Sequence, residues 1–255
     1  MLTLDQILSY TKSSKISKNI LTEYYQHELL GSLYSQSGSE YYSFIGGTAI
    51  RICYGGSRFS EDLDFDTTSL ENFDELMSAT VKDMTSKGFI LESRLAHKGA
   101  YHCYLKFPDV LKSFGISGYE EEKLLIKVDA TATDKLYTSN NIVNKYGIFQ
   151  TIKVAPASTI LSKKLITIPG RKRPKGRDLY DVTYLWGMTE PDQDYLQHAA
   201  DISLKDQLNH LIKFVDTLDL KSLAVDVSPF LMNQKDLDRV LHFDEFLKSK
   251  LSTTK

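Results

Sequence analysis

The sequence has few of the features that mark secreted, metal-thiolate or membrane proteins. Its two cysteines, Cys53 and Cys103, lie far apart and outside any zinc-type spacing, so we expect free buried thiols in a reducing cytoplasm. The chain has no apolar run of about 18 residues, so we expect no membrane-spanning helix. Residues 1–6 contain no basic segment leading into an apolar stretch, and a signal peptide is therefore not expected.

The sequence also lacks an excess of charge of either sign. Its 31 basic and 33 acidic residues give a net charge of −2 and a pI of about 6.3, so any contact with nucleic acid must come from a local basic patch. With 255 residues, 42% hydrophobic and 25% charged, the chain is typical of a globular protein with one large domain or two modest ones.

A glycine pair follows the first short strand in the sequence. Gly46 and Gly47 come directly after the apolar segment Tyr42–Ile45, and Thr48 then begins a predicted helix. A glycine turn lets backbone N–H groups approach a phosphate closely, and the helix N-terminus favours an anion. This segment therefore predicts a phosphate-binding turn.

Two alternating aspartates begin fifteen positions after Gly47. Asp62 and Asp64 are separated by Leu63 and followed by Phe65, so in an extended strand both carboxylates point to one face. Burying two carboxylates together is costly unless a cation lies between them, and Mg²⁺ prefers such oxygen ligands. The pair is either a charged turn at a strand edge or a metal site, and the glycine turn upstream favours the metal site.

A third acid occurs in a later apolar strand, predicted over residues 124–130. Asp129 on that strand would complete a two-metal clamp if the strand lay beside Asp62 and Asp64. The alternative is that Asp129 pairs with Lys127 or lies exposed. These two interpretations are equally compatible with the segment itself. The six histidines, His102 among them, show no ligand spacing and are interpreted as ordinary surface or core residues.

A basic segment and a pair of acids lie further along the chain. Five of the seven residues from 171 to 177 are basic: Arg171, Lys172, Arg173, Lys175 and Arg177. This segment is either a solvated loop or a loop that contacts the phosphates of a nucleotide or of RNA. Lys163 or Lys164 before it is able to reach a triphosphate as a point charge. Asp178 and Asp181 share a helix face and either take part in the chemistry or hold a neighbouring cation in place.

The pattern of segments predicts an α/β N-terminal half and an α-rich C-terminal half. Strands are expected at 42–45, 62–66, 89–94, 101–107, 124–130 and 149–154, with an amphipathic helix over 71–87. Beyond Pro156 the periodicity is mostly helical. We therefore predict a core over residues 1–155 and a helical part over 156–255 that completes the active-site cleft.

Together these segments resemble the nucleotidyltransferase toxins of the AbiEii/MenT kind, from bacterial abortive-infection and toxin–antitoxin systems. The resemblance runs roughly from residue 40 to residue 190. It is carried, in order, by Gly46-Gly47-Thr48-Ala49-Ile50-Arg51, Arg58-Phe59-Ser60-Glu61-Asp62-Leu63-Asp64-Phe65, Lys163-Lys164-Leu165 and Arg177-Asp178-Leu179-Tyr180-Asp181. The first two segments together are specific, and the order and spacing of the last two strengthen the match.

The resemblance implies a polymerase-β-like nucleotidyltransferase fold of the α/β (α+β) class, a mixed sheet with helices followed by an α-helical C-terminal part. It implies an enzyme that moves a nucleoside monophosphate from an NTP to an acceptor, with Mg²⁺ or Mn²⁺ as cofactor. In MenT-type relatives the acceptor is the 3′ end of tRNA, and its modification blocks translation. A cognate antitoxin suppresses this effect. We therefore expect an NTP, tRNA and an antitoxin as partners, no membrane association and a cytoplasmic location.

The resemblance also implies roles for individual residues. The metal ligands would be Asp62 and Asp64, with Asp129 as the third acid. The catalytic set would be Asp62, Asp64, Asp129, Lys164, Asp178 and Asp181, and the nucleotide would contact Gly46, Gly47, Thr48, Arg58, Ser60 and Lys163. Whether Lys163 or Lys164 is the active-site lysine stays open. RNA would contact the basic residues of the loop over 171–177.

Two other functions remain open from the sequence. The acidic pI favours a nucleotidyltransferase that acts on a small molecule or a protein, whereas the basic loop favours RNA. A non-catalytic nucleotide-binding module would keep the same fold, but it has little need for three costly carboxylates.

Overall fold

The computed structural model describes residues 1–11, 13–15, 17–98, 100–119 and 122–254. These residues form two structural units. The first consists of Met1–Cys53 and Phe59–Ala155, and the second consists of Tyr54–Arg58 together with the chain from Pro156 onward. Arg58 therefore belongs to the second unit, although it lies between two parts of the first in the sequence.

The first unit contains a sheet of seven strands in the described part of the chain. In chain order these are β1 (Tyr42–Ile45), β2 (Leu63–Thr67), β3 (Glu92–Lys98), β4 (Ala100–Phe107), β5 (Leu124–Ala132), β6 (Ser139–Lys145) and β7 (Ile148–Val154). Their spatial order is β3-β4-β5-β2-β1-β7-β6. The sheet is mixed, because β2 runs parallel to β5 and β1 runs parallel to β7 while the other neighbours are antiparallel.

The helices of the first unit include one long helix that is buried almost all round. They are α1 (Leu4–Ser9), α2 (Lys18–Tyr34), α3 (Gly46–Cys53), α4 (Phe73–Ser86) and α5 (Val110–Ser113). On α2, Tyr25 packs edge-on against Phe107 of β4, with 4.7 Å between the ring centroids. This aromatic packing covers one face of the sheet, since apolar side chains at alternate positions of β2, β4 and β5 are buried there.

The opposite face of the same three strands carries polar side chains. Asp64, His102, Tyr104, Lys127 and Asp129 are all half-buried on it, because they alternate with the buried apolar positions. One face of the mixed sheet thus packs on helices, and the other carries half-buried polar side chains, among them the predicted acids Asp64 and Asp129.

The second unit is helical. Its helices are α6 (Ala157–Thr167), α7 (Gly176–Leu185), α8 (Gln193–Ala200), α9 (Leu204–Val215), α10 (Leu220–Val227), α11 (Asp238–Leu241) and α12 (Phe243–Thr253). The predicted fold class, a mixed sheet with helices followed by a helical part, is confirmed. Within the described ranges, no helix is both long and apolar enough to cross a membrane.

Gly176 at the start of α7 sets how closely two of these helices approach. A Cβ atom at this position would lie only 2.7 Å from the backbone carbonyl carbon of Leu223 on α10. The Gly176 backbone nitrogen also donates a hydrogen bond of 3.2 Å to Asp226 Oδ2. The glycine of the basic segment is therefore required by backbone packing.

Candidate active site

The glycine turn after β1 closes directly onto the second aspartate of the alternating pair. Gly46 adopts a φ of +79°, which L-residues with a Cβ rarely adopt. A Cβ atom at this position would lie 3.1 Å from Asp64 Cγ and closer still to Asp64 Oδ2. Only glycine therefore permits both the turn and the approach of the Asp64 carboxylate.

The loop that leads into β2 is held by two buried side chains. Gln26 on α2 donates hydrogen bonds from Nε2 to the carbonyl oxygens of Ser60 (3.0 Å) and Glu61 (2.9 Å). The Thr48 hydroxyl donates to the carbonyl oxygen of Asp62. Both Gln26 and Thr48 are buried, so they fix the backbone that presents Asp62.

The third acid lies beside the second. Asp129 on β5 is the register partner of Asp64 on the neighbouring parallel strand β2. Asp129 is also the register partner of His102 on β4, on its other side. Directly paired residues on neighbouring strands share a face, so the expected juxtaposition of Asp64 and Asp129 is present.

Both carboxylate oxygens of Asp129 contact cationic or hydrogen-bonding side chains of the same chain. Lys127 Nζ lies 2.6 Å from Asp129 Oδ2, and His102 Nδ1 lies 2.7 Å from Asp129 Oδ1. The ion pair with Lys127 was one of the two interpretations of Asp129 from the sequence. The contact with His102 was not predicted.

The charges of Asp62, Asp64 and Asp129 all act on Lys127. Partial burial works to lower its pKa, but the hydrogen bond and charge of Asp129 and the charges of Asp62 and Asp64 outweigh it and raise the pKa. The Lys127 ammonium is therefore held in its charged form in a region where three carboxylate fields overlap.

The chemistry of these groups fits a hard divalent cation. Asp62, Asp64 and Asp129 supply carboxylate oxygens, which are the ligands that Mg²⁺ prefers. Among the described residues, no three or more His, Cys, Asp or Glu side chains are arranged as a ready-made cage for a metal ion. The roles of these acids as metal ligands therefore stay predictions.

The predicted downstream residues form a buried ion cluster in the second unit. Asp181 accepts a bidentate pair from Arg58, with 2.6 Å to both Nε and Nη2. Lys164 Nζ lies 2.8 Å from Asp181 Oδ2 and 2.9 Å from Asp178 Oδ1, and Arg171 Nε lies 2.8 Å from Asp178 Oδ2. The charges alternate along the chain of contacts, so each buried acid is compensated.

Burial and charge oppose each other throughout this cluster. Desolvation works to lower the pKa of Lys164, and the charges of Asp181 and Asp178 outweigh it, so the pKa is raised. The pKa of Arg58 is also raised, because its contacts with Asp181 outweigh the effect of desolvation. For Asp178 desolvation works to raise the pKa, whereas Lys164 and Arg171 lower it below the usual value. Lys164, Arg58 and Asp178 are therefore held in their charged forms.

The structure separates the two candidate lysines. Lys164 is buried in the ion cluster, whereas the neighbouring Lys163 is half-buried. Arg58, predicted to lie beside the phosphates, is only 3% exposed and engaged by Asp181. Its contact with a nucleotide stays a prediction, and its ion pair is a contact that the sequence did not indicate.

The basic loop divides into engaged and exposed side chains. Arg171 contacts Asp178, and the Arg177 guanidinium lies 5.6 Å from the ring centroid of Phe230. Lys172 and Arg173 are exposed, and Lys175 is half-buried. Lys172 and Arg173 are thus the best placed of the five predicted RNA-contacting residues to meet a phosphate backbone.

Two positioning residues of the first unit were missed by the sequence analysis. Gln26 lies within an apolar helical pattern and gives no signal of its own. The contact of His102 with Asp129 can be recognised only from the register of β4 against β5, which places the two residues opposite each other. Alternating polar residues on adjacent strands are the one sequence signal that points to such a pair.

Replacing Gly46 with alanine is expected to lower about a hundredfold the nucleotidyl transfer that the sequence resemblance implies. The new Cβ would displace the Asp64 carboxylate, and an error of about 1 Å at a reacting centre costs that much. The matched control is Gly147→Ala. Gly147 has the same φ of +79°, and no atom of the residues that the structure describes would lie within 4 Å of a Cβ at this position. Both variants carry the backbone cost of about 1–2 kcal/mol, so steady-state rates that fall equally in both would contradict a specific role for the Gly46–Asp64 approach.

Comparison with solved structures identifies the same fold in other proteins. JHP933 from Helicobacter pylori superposes with a TM-score of 0.59 at 20% identity, covering 94% of this chain and 95% of that one. MenT4, a nucleotidyltransferase toxin from Mycobacterium tuberculosis, superposes with a TM-score of 0.60 at 17% identity, covering 97% of this chain and 90% of that one. At these identities the likeness shows the fold. A search of curated proteins finds no match.

The family comparison extends over most of the sequence. The family described as "Nucleotidyl transferase AbiEii toxin, Type IV TA system" matches residues 28–249. This span includes the glycine turn, the acids Asp62, Asp64 and Asp129, and the buried ion cluster. The chain belongs to the AbiEii family of nucleotidyltransferase toxins from type IV toxin–antitoxin systems.

Proposed function

We propose that this nucleotidyltransferase is a Mg²⁺-dependent toxin that moves a nucleoside monophosphate from an NTP to the 3′ end of tRNA in the cytoplasm. The observation that carries the proposal is the placement of Asp64 between the Gly46 turn and Asp129 on the neighbouring strand. A phosphate-binding turn and a pair of carboxylates are thereby adjacent in one sheet, as transfer from a triphosphate requires.

Each part of the first unit has a distinct task in this proposal. The backbone N–H groups at Gly46 and Gly47 and the N-terminus of α3 bind the triphosphate, with Ser60 beside it, and Thr48 holds the backbone at Asp62. Asp62, Asp64 and Asp129 would hold the metal ion, which supplies charge stabilisation to the reacting phosphate when bound. The acceptor hydroxyl forms a bond to the α-phosphorus, the bond to pyrophosphate breaks, and the hydroxyl proton leaves to solvent from its hydrogen bond to Asp129.

The proposed acceptor rests on the family and on the exposed basic residues of the second unit. Lys172 and Arg173 are exposed and would bind the phosphate backbone of RNA through their positive charges. The affinity for RNA should then fall steeply as the salt concentration rises. Capping a tRNA 3′ end would stop aminoacylation, and this matches the toxin character of the family. A cognate antitoxin would relieve the effect.

The test is a labelling experiment with the full chain. Purified protein is incubated with each α-³²P-labelled NTP, in turn with total RNA, with protein lysate and with a small-molecule extract. We expect label on the 3′ ends of tRNA, and we expect EDTA to abolish it and added Mg²⁺ to restore it. Label confined to the protein or small-molecule pool would contradict the tRNA acceptor, and labelling that is unaffected by EDTA would contradict the metal requirement.

A further inference from the structure

We infer that the terminal nucleotide of the acceptor strand binds on β4 and β3, beside Asp129, with its base stacked on the pair formed by Arg94 and Tyr104. This inference rests on the proposed function, because it places the RNA acceptor in the same site. It names a binding surface for a single-stranded nucleic-acid end that lies within the first unit.

The strand register orders the polar face of the sheet. One row of register partners crosses four strands, from His102 on β4 through Asp129 and Asp64 to Ile45 on β1, where the Gly46 turn follows. The phosphate-binding turn therefore lies on one side of the two acids. His102 lies on the other side.

The next row on this face carries a stacking pair. Arg94 on β3 is the register partner of Tyr104, and Tyr104 is the register partner of Lys127 on β5. The Arg94 guanidinium carbon lies 4.8 Å from the centroid of the Tyr104 ring. Tyr104 is a diagonal neighbour of Asp129, and diagonal neighbours on adjacent strands lie about 7–8 Å apart. A nucleotide on this pair is thus within reach of the acid.

The geometry of phosphoryl transfer selects the acceptor for this position. The attacking and leaving oxygens lie roughly in line on opposite sides of the phosphorus. The leaving pyrophosphate belongs with the Gly46 turn, so the attacking hydroxyl enters from the side of Asp129 and β4. A nucleoside that carries this hydroxyl then lies over β4 and β3.

The chemistry of the pair suits an unpaired nucleotide. Bases of single-stranded RNA stack on aromatic rings and on arginine guanidinium planes, and stacking tolerates any base. Arg94 is exposed and Tyr104 is half-buried, so the guanidinium plane is the accessible end of the stack. The positive charge of Arg94 also attracts the backbone phosphate of the same nucleotide.

The test measures KM for RNA and KM for NTP separately, in the labelling reaction with total tRNA as acceptor. In Arg94→Ala and in Tyr104→Ala we expect KM for tRNA to rise about tenfold, the loss typical of one stacked base. KM for the NTP should change less than twofold. Tyr104→Phe keeps the ring and should retain the wild-type KM for tRNA. Binding of a 5′-fluorescein single-stranded 12-nucleotide RNA, followed by anisotropy, should weaken by the same factor.

Tyr119→Ala is the matched control, because Tyr119 is a 79% exposed tyrosine of the same unit outside the strands. It should leave both KM values unchanged. A rise in KM for the NTP in the Arg94 and Tyr104 variants would assign the stack to the donor base and overturn the inference. Unchanged KM values in folded variants, checked by thermal midpoint, would also overturn it. If wild-type protein labels no RNA, the proposed function itself fails, and this failure is seen before any variant is compared.

Discussion

Asp62→Asn combined with Asp64→Asn is expected to lower nucleotidyl transfer about a thousandfold or more while leaving the fold intact. The amides keep the size of the side chains but remove two of the three negative charges that act on Lys127. Charge stabilisation of this kind contributes several kcal/mol, and each 1.36 kcal/mol is a factor of ten in rate. The measurement is the initial rate of label transfer from α-³²P-NTP to RNA.

The matched control for this double variant is Asp66→Asn. Asp66 lies on β2, two residues beyond Asp64 and on the same face, but its register partners are Ser43 and Thr131, which carry no charge. We expect its rate to stay within about twofold of the wild type, because the acids whose charges raise the Lys127 pKa are Asp62, Asp64 and Asp129. Circular dichroism and the thermal midpoint establish that all variants fold. Retained transfer in the folded double variant would refute the assignment of Asp62 and Asp64.

Asp181→Asn is expected to lower the free energy of unfolding by about 3–5 kcal/mol, because removing one partner of a buried ion pair leaves an uncompensated charge. Asp181 is 1% exposed and both its carboxylate oxygens contact Arg58, while Oδ2 also contacts Lys164. The measurement is urea unfolding at neutral pH, with a probe in the second unit such as the single tryptophan, Trp186.

Asp244→Asn provides the comparison for a surface ion pair in the same unit. Asp244 contacts Lys248 one helical turn away at 3.4 Å, and Lys248 is 54% exposed. Its loss should cost no more than about 0.5 kcal/mol. A cost below about 1 kcal/mol for Asp181→Asn would show that the buried cluster contributes little to stability.

A paired substitution separates stability from chemistry in this cluster. Arg58→Met with Asp181→Leu replaces the ion pair by apolar groups of similar size, and such replacements are often neutral in free energy. We expect the pair to be more stable than Asp181→Asn alone. Loss of transfer in the stable double variant would then report on catalysis, whereas loss in Asp181→Asn by itself reports on both.

Local patterns were enough to locate the strands that carry the acids. Alternation of polar and apolar residues around Asp62 and Asp64 predicted a strand with one acidic face, and β2 occupies Leu63–Thr67. The glycine pair was predicted to close a turn, and the positive φ of Gly46 confirms that turn. In contrast, β6 was not predicted, because its polar run of Ser139, Asn140 and Asn141 lacks the apolar pattern of a strand.

Contacts between distant segments were harder to predict. The bidentate pair of Arg58 and Asp181 joins residues 123 positions apart, and the sequence placed Arg58 with the phosphates because of its motif neighbours. Likewise, the contact of His102 with Asp129 depends on the register of β4 against β5. No local preference encodes either contact, since both arise only when separate segments pack.

The sequence by itself determined the family and the fold class, because alternation, glycine turns and motif order are properties of neighbouring residues. Only the tertiary structure decided which side chains each acid contacts: Lys127 and His102 for Asp129, Arg58 and Lys164 for Asp181. The physical reason is that a buried carboxylate must be compensated within hydrogen-bond reach, and the chain folding around it determines which side chains are close enough to do so.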